Sequence, residues 1–236
     1  MQTAAEYLTG NRYPGRGILV GKSADGGSLF IAYFIMGRSE NSRNRVLEER
    51  DGALYTRAFD ESKVVDPSLI LYAAMRRVGK EIVVTNGDQT DTIRDALTAG
   101  KDFFSALETR TYEPDAPNYT PRISALVSLK AGDFDLKMSI LRRTAQGDCE
   151  RAQFRFPSRS GVGRLIHTYV TDGDPLPTFA GDPKEVALDG DLDGFSRALW
   201  DALDEENRIA LFVRAIDLND GEEQTRLFNK HTRSKG

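Results

Sequence analysis

With 236 residues, 39% hydrophobic and 29% charged, the chain can bury one large core and has the composition of an ordinary globular protein. Its net charge of -4 argues against a partner of the nucleic-acid type, and no apolar run approaches the roughly 20 residues of a membrane helix. A single cysteine, Cys149, excludes an internal disulfide, and two histidines, His167 and His231, leave no cluster of zinc ligands.

In chain order, the first dozen residues read as loosely ordered, with neither the basic nor the apolar region of a secretory signal; a reducing, cytoplasmic home is expected. Residues 17–21 form a first strand, Asp25-Gly26-Gly27 a turn, and residues 28–36 a longer hairpin partner. Residues 37–45 follow as an arginine-rich polar loop. Asp66-Pro67 has the form of a helix start, which predicts a helix over 67–78 carrying Tyr72 and closed by Gly79. A β-branched strand at 81–85, a helix at 91–99 and a short helix at 103–108 come next. Residues 111–121 carry three prolines and read as a loop. A hairpin over 123–142, strands at 152–156, 165–170 and 209–216, and a helix capped by Asp193 complete the pattern. Strands come first, helices are inserted, and strands return, which predicts an α+β fold of largely antiparallel sheets in one domain, not a doubly wound sheet. The tail from His231 reads as loosely ordered.

Phosphate-binding, dinucleotide-binding and serine-elbow signatures are absent, so cofactor and metal chemistry are not expected and the chemistry falls to Arg, Tyr, Glu, Asp and amide groups. Arginine outnumbers lysine 23 to 9, which suits geometry-specific contacts to a small anion better than bulk attraction to a polymer. Four segments stand out. Arg38, Arg43 and Arg45 crowd the loop after the second strand, a way to aim guanidinium forks at phosphate or carboxylate, although a solvated charged loop reads the same way. Tyr72 reads more readily as a core tyrosine with its hydroxyl satisfied. Asn86-Gly87 to Thr92 joins a strand end to a helix start, which serves either anion binding or capping. Glu113 and Asp115 sit on the proline-rich loop that leads through Thr120 to Arg122, where a carboxylate can orient a substrate or move a proton.

Taken in order, Arg38-Ser39 to Asn44-Arg45, Tyr72, Asn86-Gly87-Asp88-Gln89-Thr90-Asp91-Thr92-Ile93, and Tyr112-Glu113 through Thr120-Pro121-Arg122-Ile123 resemble the stand-alone, archaeal-type IMP cyclohydrolase family. The likeness covers roughly residues 14–185, and residues 163–177 look closer to its bacterial branch. It implies an αββα four-layer sandwich like that of the N-terminal-nucleophile hydrolases, without their nucleophile, since Met1-Gln2 offers no Ser, Thr or Cys. That lack counts against amide hydrolysis. The implied reaction is closure of 5-formamidoimidazole-4-carboxamide ribotide (FAICAR) to inosine monophosphate, with no cofactor or metal. The implied partners are a small purine nucleotide precursor and further copies of the chain in a homo-oligomer.

By the same resemblance, Arg45, Tyr72 and Glu113 form the catalytic set. Arg38, Arg43 and Arg122 are assigned to the 5′-phosphate, and Asn86 and Thr120 to ring or ribose groups. The arginine loop is one residue longer than the archaeal pattern, so Arg43 and Arg45 compete for one role. His167 is a candidate acid or base whose strand setting favours a structural part. A non-catalytic nucleotide-binding regulator is the alternative; it would need the arginines but not Tyr72 and Glu113.

Overall fold

The computed structural model describes residues 1–64, 67 and 71–231. Among them are two antiparallel sheets, of six and seven strands. The smaller contains β1 (Arg16–Lys22), β2 (Ser28–Met36), β10 (Val162–His167), β11 (Lys184–Ala187), β12 (Arg208–Asp217) and β13 (Glu223–Asn229), in the order β11-β10-β1-β2-β12-β13. The larger runs from β3 (Arg45–Arg50) through β4 (Ala53–Ala58), β5 (Ala73–Val78), β6 (Glu81–Thr85), β7 (Arg122–Lys130) and β8 (Asp133–Arg143) to β9 (Cys149–Pro157), in sequence order.

Strand β2 shows why the layers stack. Its residues from Leu29 to Met36 are apolar and buried, because the strand is paired on both edges and covered on both faces. Leu29, Ile31, Tyr33 and Ile35 face the inter-sheet core, where they meet Met75, Val84, Ile123 and Ala125 of the other sheet. Phe30, Ala32, Phe34 and Met36 alternate to the opposite face, beneath α1 (Ala4–Leu8) and α5 (Leu192–Ala202). On the outer face of the larger sheet, Val83, Leu126 and Leu141 pack with Ile93, Phe103 and Phe104 of α3 (Gln89–Thr98) and α4 (Phe103–Leu107). Helix, sheet, sheet, helix is thus the order of layers; the largely antiparallel α+β pattern is the one read from the elements, and the layered sandwich is the one the family resemblance implies.

Several expectations change. Ala73–Val78 is a strand, not the second half of a helix, and Tyr72 stands just before it; Asp66, Leu69 and Ile70 lie outside the described residues. Strand pairing with β4 and β6 outweighs the helical propensity of Ala-Ala-Met-Arg-Arg. The arginine loop contains a short helix, α2 (Glu40–Arg43), and continues directly into β3. The N-terminus is not loose: Thr3 and Glu6 form a reciprocal capping box at 3.1 and 2.8 Å that starts α1. Helix α5 is capped by Asp191, with Asp193 in its first turn. The strand placed at 165–170 ends at His167. His231 is described and its ring packs 4.9 Å from that of Phe59; residues 232–236 lie outside the described set.

The topology gathers five strand ends at one end of the sandwich. They are the start of β1, the end of β2 paired beside it, the end of β10, and the starts of β3 and β7.

Candidate functional site

A cavity of about 530 Å³ opens where these ends meet, within the usual size range of small-ligand sites. One wall begins at Gly15. A side chain there would put its Cβ 2.1 Å from Thr168 Oγ1 and 2.6 Å from the Tyr169 ring, and φ is +81°, so only glycine lets β1 enter so closely. Arg16 follows, its N–H donating to Thr168 Oγ1 at 3.1 Å, and its guanidinium lines the cavity.

Beyond β2, Ser39 and Ser42 cap α2 reciprocally, and that turn separates the three arginines. Arg38 lines the cavity and pairs with Asp172 at 2.7 Å. Arg43 turns away, donating to Gly37 O and Asn207 Oδ1, both at 3.2 Å, with Glu206 at 3.6 Å. Arg45 is 3% exposed and lines the cavity. Its guanidinium donates to Ser42 O at 2.8 Å and Met36 O at 3.1 Å, and no carboxylate among the described residues pairs with it.

The opposite wall is the 111–121 loop. Glu113 N–H donates to Thr120 O at 2.8 Å, and Asp115 accepts from both the N–H and the hydroxyl of Thr120. The Tyr169 hydroxyl bonds Thr120 Oγ1. Asn118, another lining residue, accepts from Leu176 N–H at 3.1 Å. Glu113 itself is 3% exposed, and one of its oxygens accepts from Arg16 Nη2 at 3.1 Å. Burial raises its carboxyl above the ordinary range, Arg16 and Arg122 pull it back, and Asp115 adds to the rise.

Tyr72 does not line the cavity. It is buried in the inter-sheet core with its hydroxyl 2.8 Å from that of Tyr33, and both rings lie within electrostatic range of Arg16. Burial raises the Tyr33 hydroxyl well above its usual range, so it stays a neutral partner.

Asn86 and Arg122 also stand behind the cavity. Fully buried Asn86 donates to Pro121 O at 2.9 Å and accepts from Ile123 N–H at 2.9 Å, fastening β6 to the start of β7. Arg122 donates to Asp88 and Gln89, each at 2.7 Å. A Cβ on Gly87 would lie 2.5 Å from the Arg122 guanidinium, so this brace requires the glycine.

Of the residues singled out in the sequence, Arg38, Arg45, Glu113 and Thr120 therefore meet at one cavity. Tyr72, Asn86 and Arg122 support it from behind, and Arg43 faces elsewhere. Sequence reasoning missed Arg16, Tyr13 and Tyr169, which also line it. Arg16 reads as an ordinary strand-entry residue, and only the fold brings it to Glu113. His167 is fully buried, bonded to the Tyr7 hydroxyl at 3.0 Å and the Tyr169 carbonyl at 2.7 Å, away from the lining. Among the described residues, no three His, Cys, Asp or Glu gather as metal ligands, and no helix is long and apolar enough to cross a membrane.

The profile of the family described as IMP cyclohydrolase-like protein matches residues 13–222. The IMP cyclohydrolase of Methanopyrus kandleri is 37% identical over 162 residues, covering 66% of this chain and 75% of that protein. That of Methanococcus maripaludis is 32% identical over 121 residues (49% and 58%), and that of Methanocaldococcus jannaschii 31% over 117 residues (49% and 56%). The match thus spans less than two thirds of the methanococcal proteins' own length. With the family profile spanning most of its length, this chain belongs to the IMP cyclohydrolase-like family.

Proposed function

We propose that the protein closes FAICAR to inosine monophosphate with loss of water, the last step of purine nucleotide synthesis. One observation supports this best: Arg45 and Glu113, which come from two distant segments, line the same cavity in a chain of this family. The carboxamide nitrogen attacks the formyl carbon of the same molecule, so a C–N bond forms as the formyl C=O opens to an oxyanion. That oxygen takes up protons and leaves as water when the ring C=N forms. Both reacting groups sit on one ring, so the substrate itself supplies much of the proximity.

What remains for the protein is to hold a rotamer, stabilise the oxyanion and move protons. Glu113 orients the carboxamide and takes its proton. Arg45 donates to the formyl oxygen, while Tyr72, which does not line the cavity, stands behind it near Arg16. Arg38 holds the 5′-phosphate at the other end of the cavity, and Thr120 meets the ribose. Arg43, Asn86 and Arg122 hold the surrounding chain in place without touching the ligand. A homo-oligomer in the cytoplasm belongs to the same reading and rests on the family resemblance.

Mixing metal-stripped protein with FAICAR and following inosine monophosphate optically tests this. Closure is expected, with Glu113→Gln and Arg45→Met each reduced roughly 100- to 1000-fold in kcat, and Tyr72→Phe, off the lining, reduced less. Arg43→Met should stay within a few-fold of the unmodified protein. Tight product binding without closure would instead favour a regulatory nucleotide-binding protein, and neither activity nor binding would overturn the assignment.

A further inference from the structure

We infer that Arg16 is the positioning residue that keeps Glu113 ionised and aimed into the cavity. The inference rests on the reading that Glu113 acts on the substrate.

The pair joins the two sheets across the cavity: Arg16 opens β1 of the six-stranded sheet, and Glu113 lies on the loop that enters β7 of the seven-stranded one. Arg16 Nη2 lies 3.1 Å from a Glu113 oxygen, and the two side chains are only 10% and 4% exposed. The backbone of Arg16 is fixed on both sides. Its N–H donates to Thr168 Oγ1, and its carbonyl accepts from Thr168 N–H at 2.9 Å. Gly15 leaves no room to shift the strand entry.

The other charged and titratable groups around Glu113 cannot replace Arg16. Arg122, on β7, is the second cation, but it is already committed to Asp88 at 2.7 Å. Asp115, on the same loop, opposes ionisation. Tyr33, Tyr72 and Tyr169 surround Arg16, and a phenol offers no positive charge in either of its forms. Among the described residues, Arg16 has Glu113 as its one acidic partner. A carboxyl this buried takes up a proton when its cation is removed, and a protonated carboxyl can no longer accept the carboxamide proton.

The test compares Arg16→Met, Arg16→Lys, Glu113→Gln and the double variant Arg16→Met/Glu113→Gln. FAICAR closure is followed across pH. Separately, isotope-edited infrared titration follows the Glu113 carboxyl, which Glu113→Gln identifies. Arg16→Met should lower kcat about 100-fold at neutral pH and change KM only a few-fold. The acid limb of its kcat profile should move up by about one to three pH units, in step with the infrared band. Added guanidinium and Arg16→Lys should each recover part of the loss. The double variant should be no slower than Glu113→Gln.

A rise in KM with an unmoved acid limb would overturn the inference, as would a double variant that loses the product of both single effects. If Arg16→Met does not fold, Arg16→Lys under the same titration decides, since an ammonium in place of the fork must still shift the band. If the unmodified protein fails to close FAICAR, the functional reading falls by itself. The infrared titration then still judges the pair, and an unchanged band in the Arg16 variants overturns it.

Discussion

What already holds a charge decides whether a ligand can use it. Arg38 is matched by Asp172 at 2.7 Å, so a phosphate has to compete with that carboxylate, whereas Arg45 leans on two backbone carbonyls and, among the described residues, has no carboxylate paired with it. Arg45 is therefore the stronger anion contact of the loop. His167 shows the opposite economy, a titratable group kept out of chemistry. The Tyr169 carbonyl can only accept, so Nδ1 carries the proton and Nε2 accepts from the Tyr7 hydroxyl. Burial lowers this imidazole from its ordinary 6.5 to about 4, and protonation would put a second donor against the phenol. The unfolded chain thus binds a proton below pH 6.5 that the folded chain refuses until about pH 4, so stability falls as pH drops through this window. The loss attributable to His167 should reach about 3 kcal/mol. Urea midpoints of the unmodified protein and His167→Gln between pH 7 and 4 check this: the gap between them should close as pH falls. A constant gap would show that His167 titrates alike in both states.

At the scale of elements, the end of the sandwich far from the cavity is tied by ion pairs. Arg214 of β12, 2% exposed, pairs with Glu49 of β3 at 2.6 Å and with Glu223 of β13 at 3.3 Å, and Glu223 also meets Arg77 of β5. Two strands of each sheet are thereby tied together. Arg214→Met leaves two carboxylates facing a cation's place, and because both are partly exposed the cost should sit near roughly 3 kcal/mol, the low end for a broken buried pair. Glu49→Gln, at a 30% exposed position with Glu223 still in place, should cost below about 1 kcal/mol. Denaturant midpoints of the two variants measure this asymmetry, and equal costs would refute it. The same region explains which elements the sequence hid. Doubly covered strands such as β2 and β7 announce themselves by apolar runs. By contrast β3, β11 and β13 (Arg-Val-Leu-Glu-Glu-Arg, Lys-Glu-Val-Ala and Glu-Gln-Thr-Arg-Leu-Phe-Asn) are edge strands whose charges protect an open edge and erase the alternation. Strand β5 was hidden differently, by Asp66-Pro67 upstream, a sound helix signal that says nothing about the pairing partners of Ala73–Val78. Arg45 and Glu113, which line the cavity, were legible because they fall into ordered motifs, whereas Tyr72, singled out in the same way, stands in the inter-sheet core. Arg16 was not legible, because its meaning lies in a contact 97 residues along the chain.

For the whole molecule, the cavity is a seam. Arg16 and Met36 reach it from the six-stranded sheet, Tyr169 from the segment just after β10, and Arg45, Glu113 and Thr120 from the seven-stranded sheet and its loop. A nucleotide held there touches both sheets at once, and only the folded chain offers that arrangement. Binding must then raise the unfolding temperature by mass action, about 2.7 kcal/mol at a free ligand concentration of 100 Kd. For a chain of this size that corresponds to roughly 5–10 °C. Scanning calorimetry with increasing inosine monophosphate should show Tm climbing with the logarithm of concentration. Arg38→Met, which removes the proposed phosphate contact, should abolish most of the shift. Arg214→Met is the informative control: its partner Glu49 lies four residues along β3 from Arg45, roughly 13 Å away, so its effect should add to binding and not couple with it. That variant should melt lower and yet gain the same increment from the nucleotide. A smaller increment would mean that the ionic end of the sandwich and the cavity end respond as one unit, with the inter-sheet core transmitting the strain between them.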